Sequence, residues 1–386
     1  MRIANSPLKR VPPEILGRIF MWYVGGRVIF PLKQTLNPWK LGHVSSQWRQ
    51  VLWSTADLWN DLEISLPTGC DKNTDIVGSL SIVRSALNDV LYRGKGLHNL
   101  RIFSHSITPV ADIIFPFVHR FRSLSIKNVS YGIFISLLEL PTGAFPFLEN
   151  INLNIYYDPA SADRASHSSS LQAAPNLTSV TFSFRPTKAL ALEWDKFLDP
   201  FEFPSLQNLA INPGPSLNLL YPLICLKAIT SLVLRSGCHL EAFSIGGAMD
   251  YRENHHLPSV IIPDVSEIIK ASPTLKILEG TLILPASIFI AMKSGQLHLP
   301  KLHLVIVRLD PDGLKAFIDF LNSLIHFEGN QQLPTYSGTI RQAIISCQAT
   351  DGYQTAMDAF TNKSWLYQAV GIYVSVERFT IDHDGE

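Results

Sequence analysis

Apolar residues recur along this 386-residue chain in two different periods. Near the N-terminus the period is helical. Pro12 and Pro13 suit a first helical turn, where a missing N–H is harmless, and Glu14 sits at the positive end of the helix dipole. Ile15, Leu16, Ile19, Phe20 and Tyr23 then fall on one apolar face. After a loop holding Gly25 and Pro38, a second short face follows: Val44, Trp48, Val51 and Leu52, with Ser45 or Ser46 as its cap. A helical unit over residues 11–62 is at the lower edge of independent stability. Its apolar faces are therefore expected to be shared, with the rest of the chain or with a partner. Ser65–Thr74 carries Pro67, Gly69, Asp71 and Asn73, a loop signature. A longer amphipathic helix is predicted over Ile76–Tyr92, with Val77, Leu80, Val83, Leu87, Val90 and Leu91 on one side, capping the segment C-terminal to it.

From about residue 97 the pattern becomes L-x-x-L-x-L. Its cores are Leu97/Leu100/Ile102, Phe121/Leu124/Ile126, Leu148/Ile151/Leu153, Leu177/Val180/Phe182, Leu206/Leu209/Ile211, Ile229/Leu232/Leu234, Leu275/Leu278 and Leu302/Val305/Val307. Their first positions step by 24, 27, 29, 29, 23, 46 and 27, in or near the leucine-rich-repeat range of about 20–29 residues. The double step leaves room for Leu240/Phe243/Ile245, which also fits, with Gly246–His256 as a loop insertion. A proline precedes several cores (Pro146, Pro175, Pro204, Pro273, Pro300), where it leads into a strand without breaking a ladder. Between cores lie helical patterns over Pro109–Arg120, Ala189–Leu198, Asp264–Lys270 and Asp312–Ile325. The expected fold class is α/β: a small N-terminal helical unit, then an irregular leucine-rich-repeat-like solenoid with a parallel sheet on its concave face. A mixed α/β domain without a true array is the alternative. The expected organisation is a tail over 1–10, the helical unit over 11–62, a linker and capping helix over 63–96, the solenoid over 97–330 and a C-terminal cap over 331–386. Asp158–Ser170 reads as an exposed insertion, and Val370–Ile381 alternates like a strand.

Composition narrows the class. Hydrophobic residues make up 46% and charged residues 17%, and 32 Lys and Arg balance 32 Asp and Glu. A net charge of zero argues against non-specific nucleic-acid or membrane-surface binding, which needs a basic excess, and predicts poor solubility. Cys70, Cys225, Cys238 and Cys347 are scattered without C-x-x-C spacing, which fits reduced thiols better than a disulfide framework or a zinc site. Met1–Arg10 has no apolar run of the signal-peptide kind. The run Thr281–Met292 holds Pro285 and falls short of the roughly 20 residues a bilayer requires. The expected home is cytosol or nucleus.

No G-x-S-x-G, G-x-x-x-x-G-K-[ST], G-x-G-x-x-G or H-E-x-x-H occurs. His255 and His256 are adjacent in the expected insertion and point opposite ways in an extended chain, a poor metal clamp. Asp382–Asp384 reads as a solvated terminal charge run. No catalytic residue, cofactor, metal or small-molecule substrate is implied. The outward strand positions are the binding candidates: Ser123, Ser125, Lys127; Asn150, Asn152, Asn154; Ser179, Thr181, Ser183; Asn208, Ala210, Asn212; and Ser231, Val233, Arg235. One strand spacing of about 4.8 Å apart, they would form a neutral hydrogen-bonding strip suited to a polypeptide target. It is too uncharged for nucleic acid.

The N-terminal pattern V-P-P-E-I-L-G-R-I-F (Val11–Phe20), then V-S-S-Q-W-R-Q-V (Val44–Val51) and a closing Leu58–Trp59, resembles the F-box family, over about fifty of 386 residues. The phrase Trp48–Trp59 is similar to that of F-box proteins of mushroom-forming fungi. Two features depart from the family: Val11 replaces the usual leading Leu, and the loop between the helices is long. The resemblance implies a substrate receptor of a ubiquitin ligase. It would bind a Skp-type adaptor, and through it a cullin, by Pro12, Pro13, Ile15, Leu16, Ile19, Phe20, Val44, Trp48 and Val51, divided between adaptor contact and the unit's own core. Trp53 and Trp59 are expected to dock the unit onto the solenoid. The solenoid would hold the target, with Asn150, Asn152, Asn154, Ser179, Thr181, Ser183, Asn208 and Asn212 as candidates. The alternatives are an interaction scaffold that delivers no target, a hydrolase with a helical arm, and a decayed gene copy.

Overall fold

A computed structural model describes residues 11–30, 38–65, 76–94, 96–103, 108–156, 171, 174–185, 198, 201–212, 221–246, 265–327, 334–348 and 352–379. The chain divides into two units, Met1–Leu177 and Thr178–Glu386. The expected tail, the Ser65–Thr74 loop beyond Ser65, the Asp158–Ser170 insertion, the helix over 189–197, residues 247–256 with their two histidines and the Asp382–Asp384 run lie outside the described residues.

The first unit runs α1 (Pro13–Val24), β1 (Val28–Phe30), α2 (Trp39–Gly42), α3 (Ser46–Ser54), a 3-10 turn (Ala56–Trp59), β2 (Asp61–Ser65), α4 (Ile76–Arg93), β3 (His98–Phe103), α5 (Thr108–Ile114), a 3-10 turn (Phe115–Arg120), β4 (Phe121–Ser130), α6 (Tyr131–Leu138) and β5 (Asn150–Tyr156). Its five strands are parallel and lie in sequence order. The second unit holds β6 (Ser179–Arg185), β7 (Asn208–Asn212), α7 (Tyr221–Ser236), β8 (Ala242–Ile245), α8 (Val265–Lys270), β9 (Ile277–Leu284), α9 (Ala286–Lys293), β10 (Leu304–Leu309), α10 (Pro311–Ser323), β11 (Ile325–Phe327), β12 (Pro334–Tyr336), β13 (Gln342–Gln348), α11 (Tyr353–Thr361), α12 (Ser364–Ala369) and β14 (Tyr373–Phe379). Here too the main strands are parallel and sequential, β6-β7-β8-β9-β10-β13-β14, while β11 and β12 pair antiparallel with each other. Parallel neighbours need a crossover, and the helices supply it. The alternation is compatible with an α/β solenoid.

Most of the parallel strands bury alternate residues: Leu100 and Ile102, Leu124 and Ile126, Val305, Val307 and Leu309, Ala343, Ile345 and Cys347. The first leucine of the repeat pattern lies outside the strand. Leu177, Leu206, Leu275 and Leu302 each donate their N–H to the carbonyl three residues back (Ala174, Phe203, Ser272, Leu299), closing a β-turn with proline at its second position. Proline is preset for that position and its absent N–H is not needed there. The turns are stitched between repeats by side chains. Asn176 Nδ2 donates to Pro146 O at 2.7 Å, Thr274 Oγ1 to Leu240 O at 2.8 Å and Thr339 Oγ1 to Leu302 O at 2.7 Å.

Several expectations are corrected. Ile229/Leu232/Leu234 belong to α7, where Ala228, Ile229, Leu232, Val233 and Ser236 form the buried face and Leu234 is exposed. The spacing i, i+3 is shared by a helix and by the first step of the repeat core, so periodicity alone could not separate them. The strand at this place is β8, with Phe243 and Ile245 buried as in the alternative register. Ser231, Val233 and Arg235 are consequently helix residues, not strip residues. Arg235 instead donates to Leu198 O at 2.9 Å and Ser231 Oγ at 2.9 Å. Leu97 is 39% exposed, because the inward phase of β3 starts at His98.

Other elements carry no clear periodic signal. β1 lies inside the loop between the first helices, and β2 straddles residue 62. α6 begins at a cap where Ser130 Oγ accepts from Ile133 N, and α9 starts after Pro285. Beyond residue 330, β13 and β14 continue the parallel order. β4 bulges between Ile126 and Val129, where Asn128 takes a left-handed φ of 59°, a conformation Asn tolerates better than most residues.

Candidate interaction faces

α1 carries two apolar stripes. Pro13 opens the helix, Glu14 sits in its first turn, and Gly25 ends it at φ 72° with its N–H on Met21 O at 3.0 Å. The inner stripe is Leu16, Phe20 and Val24, all buried. Gly17 lies between them, because a Cβ there would come within 3.0 Å of Thr55 Oγ1. The outer stripe is Ile15 (46% exposed), Ile19 (49%), Trp22 (92%) and Tyr23 (37%). Spacings of four and then three residues from Ile15 through Ile19 to Trp22 place these side chains in one row.

The single apolar face expected for Ile15, Leu16, Ile19, Phe20 and Tyr23 is therefore split. At this width an apolar helix surface exceeds what one packing contact covers, and the sequence does not mark where burial stops. Of the nine expected adaptor residues, Leu16, Phe20 and Val51 are core. Trp48 is half-buried with its ring 5.0 Å from Phe20, and Pro12, Pro13, Ile15, Ile19 and Val44 are exposed. Val44 precedes α3, whose cap is Ser45; the Ser45 Oγ accepts from Trp48 N at 3.1 Å. Trp22 lies outside the expected set, although its place seven residues after Ile15 is visible in the sequence.

The helices are held to the strands by an aromatic cluster. Trp53 and Trp59 stack at 4.7 Å, Trp39 meets Trp59 edge-on at 5.2 Å and Phe30 of β1 at 6.1 Å, and the guanidinium of Arg93 lies 5.4 Å from the centre of the Trp53 ring. Trp59 is wholly buried and donates Nε1–H to Leu52 O at 2.9 Å. Its carbonyl accepts from His98 Nδ1 at 2.8 Å, tying the helices to β3. His98 is fully buried, and burial pushes its pKa down to about 4, against the opposing bond to Trp59 O and with the help of the Arg120 charge. Arg120 donates to the carbonyls of Leu91, Gly94 and Gly96 at the end of α4.

On the outer sheet face of the first unit, register places Asp61, Asn99, Ser123 and Asn150 in one row and Glu63, Arg101, Ser125 and Asn152 in the next. Arg27 pairs with Glu63 at 2.9 Å and with Asp61 at 3.5 Å, and Arg101 reaches Asp61 at 3.4 Å. Lys127 lies over the Phe103 ring at 4.5 Å. Asn150 and Asn152 are exposed, Asn154 half-buried. In the first unit the face runs from charges on β2 and β3 to hydroxyls and amides on β4 and β5. In the second unit Ser179 faces Asn208, Thr181 faces Ala210 and Ser183 faces Asn212, whose Nδ2 donates to Ser183 Oγ at 3.1 Å.

Among the described residues no cluster of three or more His, Cys, Asp or Glu side chains is placed to hold a metal, and no helix is long and apolar enough to cross a membrane. Cys238 and Cys347 are buried thiols, pushed up to about 11 and about 12 by burial. No family model matches this chain, and no curated protein matches it.

Proposed function

We propose that this chain is the substrate receptor of a Skp-cullin-F-box ubiquitin ligase, engaging the adaptor through the outer stripe of α1 and a target through the strand-and-helix array. The observation that carries the reading is the double-striped α1. A helix packed through Leu16, Phe20 and Val24 still leaves Ile15, Ile19 and Trp22 exposed in one row. A contiguous exposed apolar row marks a partner site better than scattered exposed residues do, and an adaptor helix would cover it. Ile15 and Ile19 are also positions of the F-box-like pattern. In this reading the chain performs no bond chemistry; the ligation belongs to its partners, in cytosol or nucleus.

The test is co-purification with the Skp adaptor. Wild type is compared with Ile15→Asp/Ile19→Asp, which changes exposed residues only. Capture by wild type, lost in the double variant at unchanged melting temperature, supports the reading. Capture that survives the double change, or a wild type that captures nothing, overturns it. Substituting Leu16 or Phe20 would not serve, because their burial makes loss of fold and loss of binding indistinguishable.

A further inference from the structure

The outer face of the second unit is not the polar strip its first two strands announce. From β8 to β13 it gains a group of aliphatic residues, set among Ser244, Arg308, Gln342 and Ser346. Register places Ala242, Ile277 and Leu304 side by side on β8, β9 and β10, and Ile306 beside Ile344 in the next row on β10 and β13. All five are half-buried and alternate with the buried positions Phe243, Leu278, Val305, Val307, Ala343 and Ile345, so they project from the opposite side of the sheet. An outer face facing water needs no aliphatic residues, and the first unit uses charges and amides at the same kind of position.

One carboxylate sits inside this patch. Glu279 shares its row with Ser244 on one side and Ile306 on the other, and Ile277 is the preceding outer position on its own strand. It is half-buried and has no hydrogen bond or ion pair among the described residues. The nearby Lys276 is paired with Glu241 at 2.7 Å, and Arg308 has interactions of its own. β9 bulges just after Glu279. Ile283 lies four positions after Glu279, where their partners Ile306 and Arg308 lie two positions apart. Bulges of this kind re-aim side chains beside functional sites.

The geometry points to a recognition site for an extended polypeptide segment that carries a lysine or arginine next to apolar side chains. The apolar side chains cover Ile277, Leu304, Ile306 and Ile344, and the cation pairs with Glu279. An extended segment repeats its side chains about 6.6 Å apart on one side, the same spacing as Leu304 and Ile306 along β10. An unpaired carboxylate in an apolar surround rejects anionic partners and rewards a cation, because a charge half out of water gains most from a partner there. The site gives the proposed receptor its target class, and so rests on that reading. Its test does not involve the adaptor, so the two can fail separately.

The experiment selects binders from a random short-peptide phage library with the full-length protein, wild type against Glu279→Lys and Ile306→Ser, with Ile344→Thr as a second apolar variant and melting curves as fold controls. The expected result is wild-type enrichment of basic-plus-apolar peptides, a switch to acidic-plus-apolar peptides with Glu279→Lys, and about tenfold weaker binding with either apolar variant. A wild-type pool without basic enrichment, or the same pool with Glu279→Lys, overturns the proposal. So does light scattering that shows a dimer dispersed by Ile306→Ser, which would make the patch a contact between copies of this chain.

Discussion

The two units are alike in their inner faces and differ in their outer ones. In both, most of the parallel strands bury apolar residues at alternate positions. Outside, the first unit shows Arg27, Asp61, Glu63 and Arg101, then asparagines, while the second shows Ile277, Leu304, Ile306 and Ile344 around Glu279. The contrast separates what the fold requires from what it leaves open. A parallel array must fill its covered face, and it is indifferent to the other. Variation there is therefore where recognition is written.

The strongest way to break the comparison is to attack the shared inner side. Trp59→Ala in the first unit is expected to cost about 3–5 kcal/mol and Leu209→Ala in the second about 2–5 kcal/mol, read by urea denaturation, since both side chains are fully covered. A loss under about 1 kcal/mol in either would show that the inner faces are not equivalent cores.

Acid should separate the units next. His98 is the buried histidine among the described residues of the first unit, with a pKa about 4 against 6.5 in an unfolded chain. The unfolded state takes up a proton first, so stability is full above pH 6.5 and falls as pH drops toward 4. The loss is at most roughly 3 kcal/mol from the difference in pKa. His98→Gln is expected to flatten this slope in melts between about pH 7 and pH 4, while the second unit, probed by alkylation of Cys238 and Cys347 in a Cys70→Ser/Cys225→Ser background, stays closed. A His98→Gln variant with the wild-type slope would place the acid sensitivity elsewhere.

A smaller effect is expected from the outer charges. Arg27→Ala removes contacts to Asp61 and Glu63, and because its side chain is partly exposed the cost should stay below about 1 kcal/mol and shrink in high salt. The smallest is Asn152→Ala, an exposed outer position expected to move stability by less than about 0.5 kcal/mol. If Asn152→Ala destabilised as strongly as Leu209→Ala, the outer face would be structural and the contrast would collapse.

Much of the array is legible in the sequence. Val180/Phe182, Leu209/Ile211 and Val305/Val307 stand out as inward pairs because a period of two is unmistakable over a strand that follows a turn proline. Ile229/Leu232/Leu234 mislead, because three residues of spacing fit a helix equally well. β1, three residues long, gives too few alternations to be seen at all. The candidate sites are less legible. Ile15 and Leu16 are neighbours of similar hydrophobicity, yet one faces solvent and the other is core. Ile306 and Ile344 are apolar residues between apolar residues, which in sequence looks like a doubly covered strand.

The sequence by itself determined the alternating class, the position of most inward residues and the proline turns at which four of the repeats begin, because these depend on local geometry: a fixed side-chain period and a preset proline φ. Only the tertiary structure decided which stripe of α1 is buried, that β1, β2, β13 and β14 belong with the strands, and that Glu279 stands among aliphatic neighbours. These depend on what lies across from a residue, and partners distant in the chain leave no mark on local periodicity.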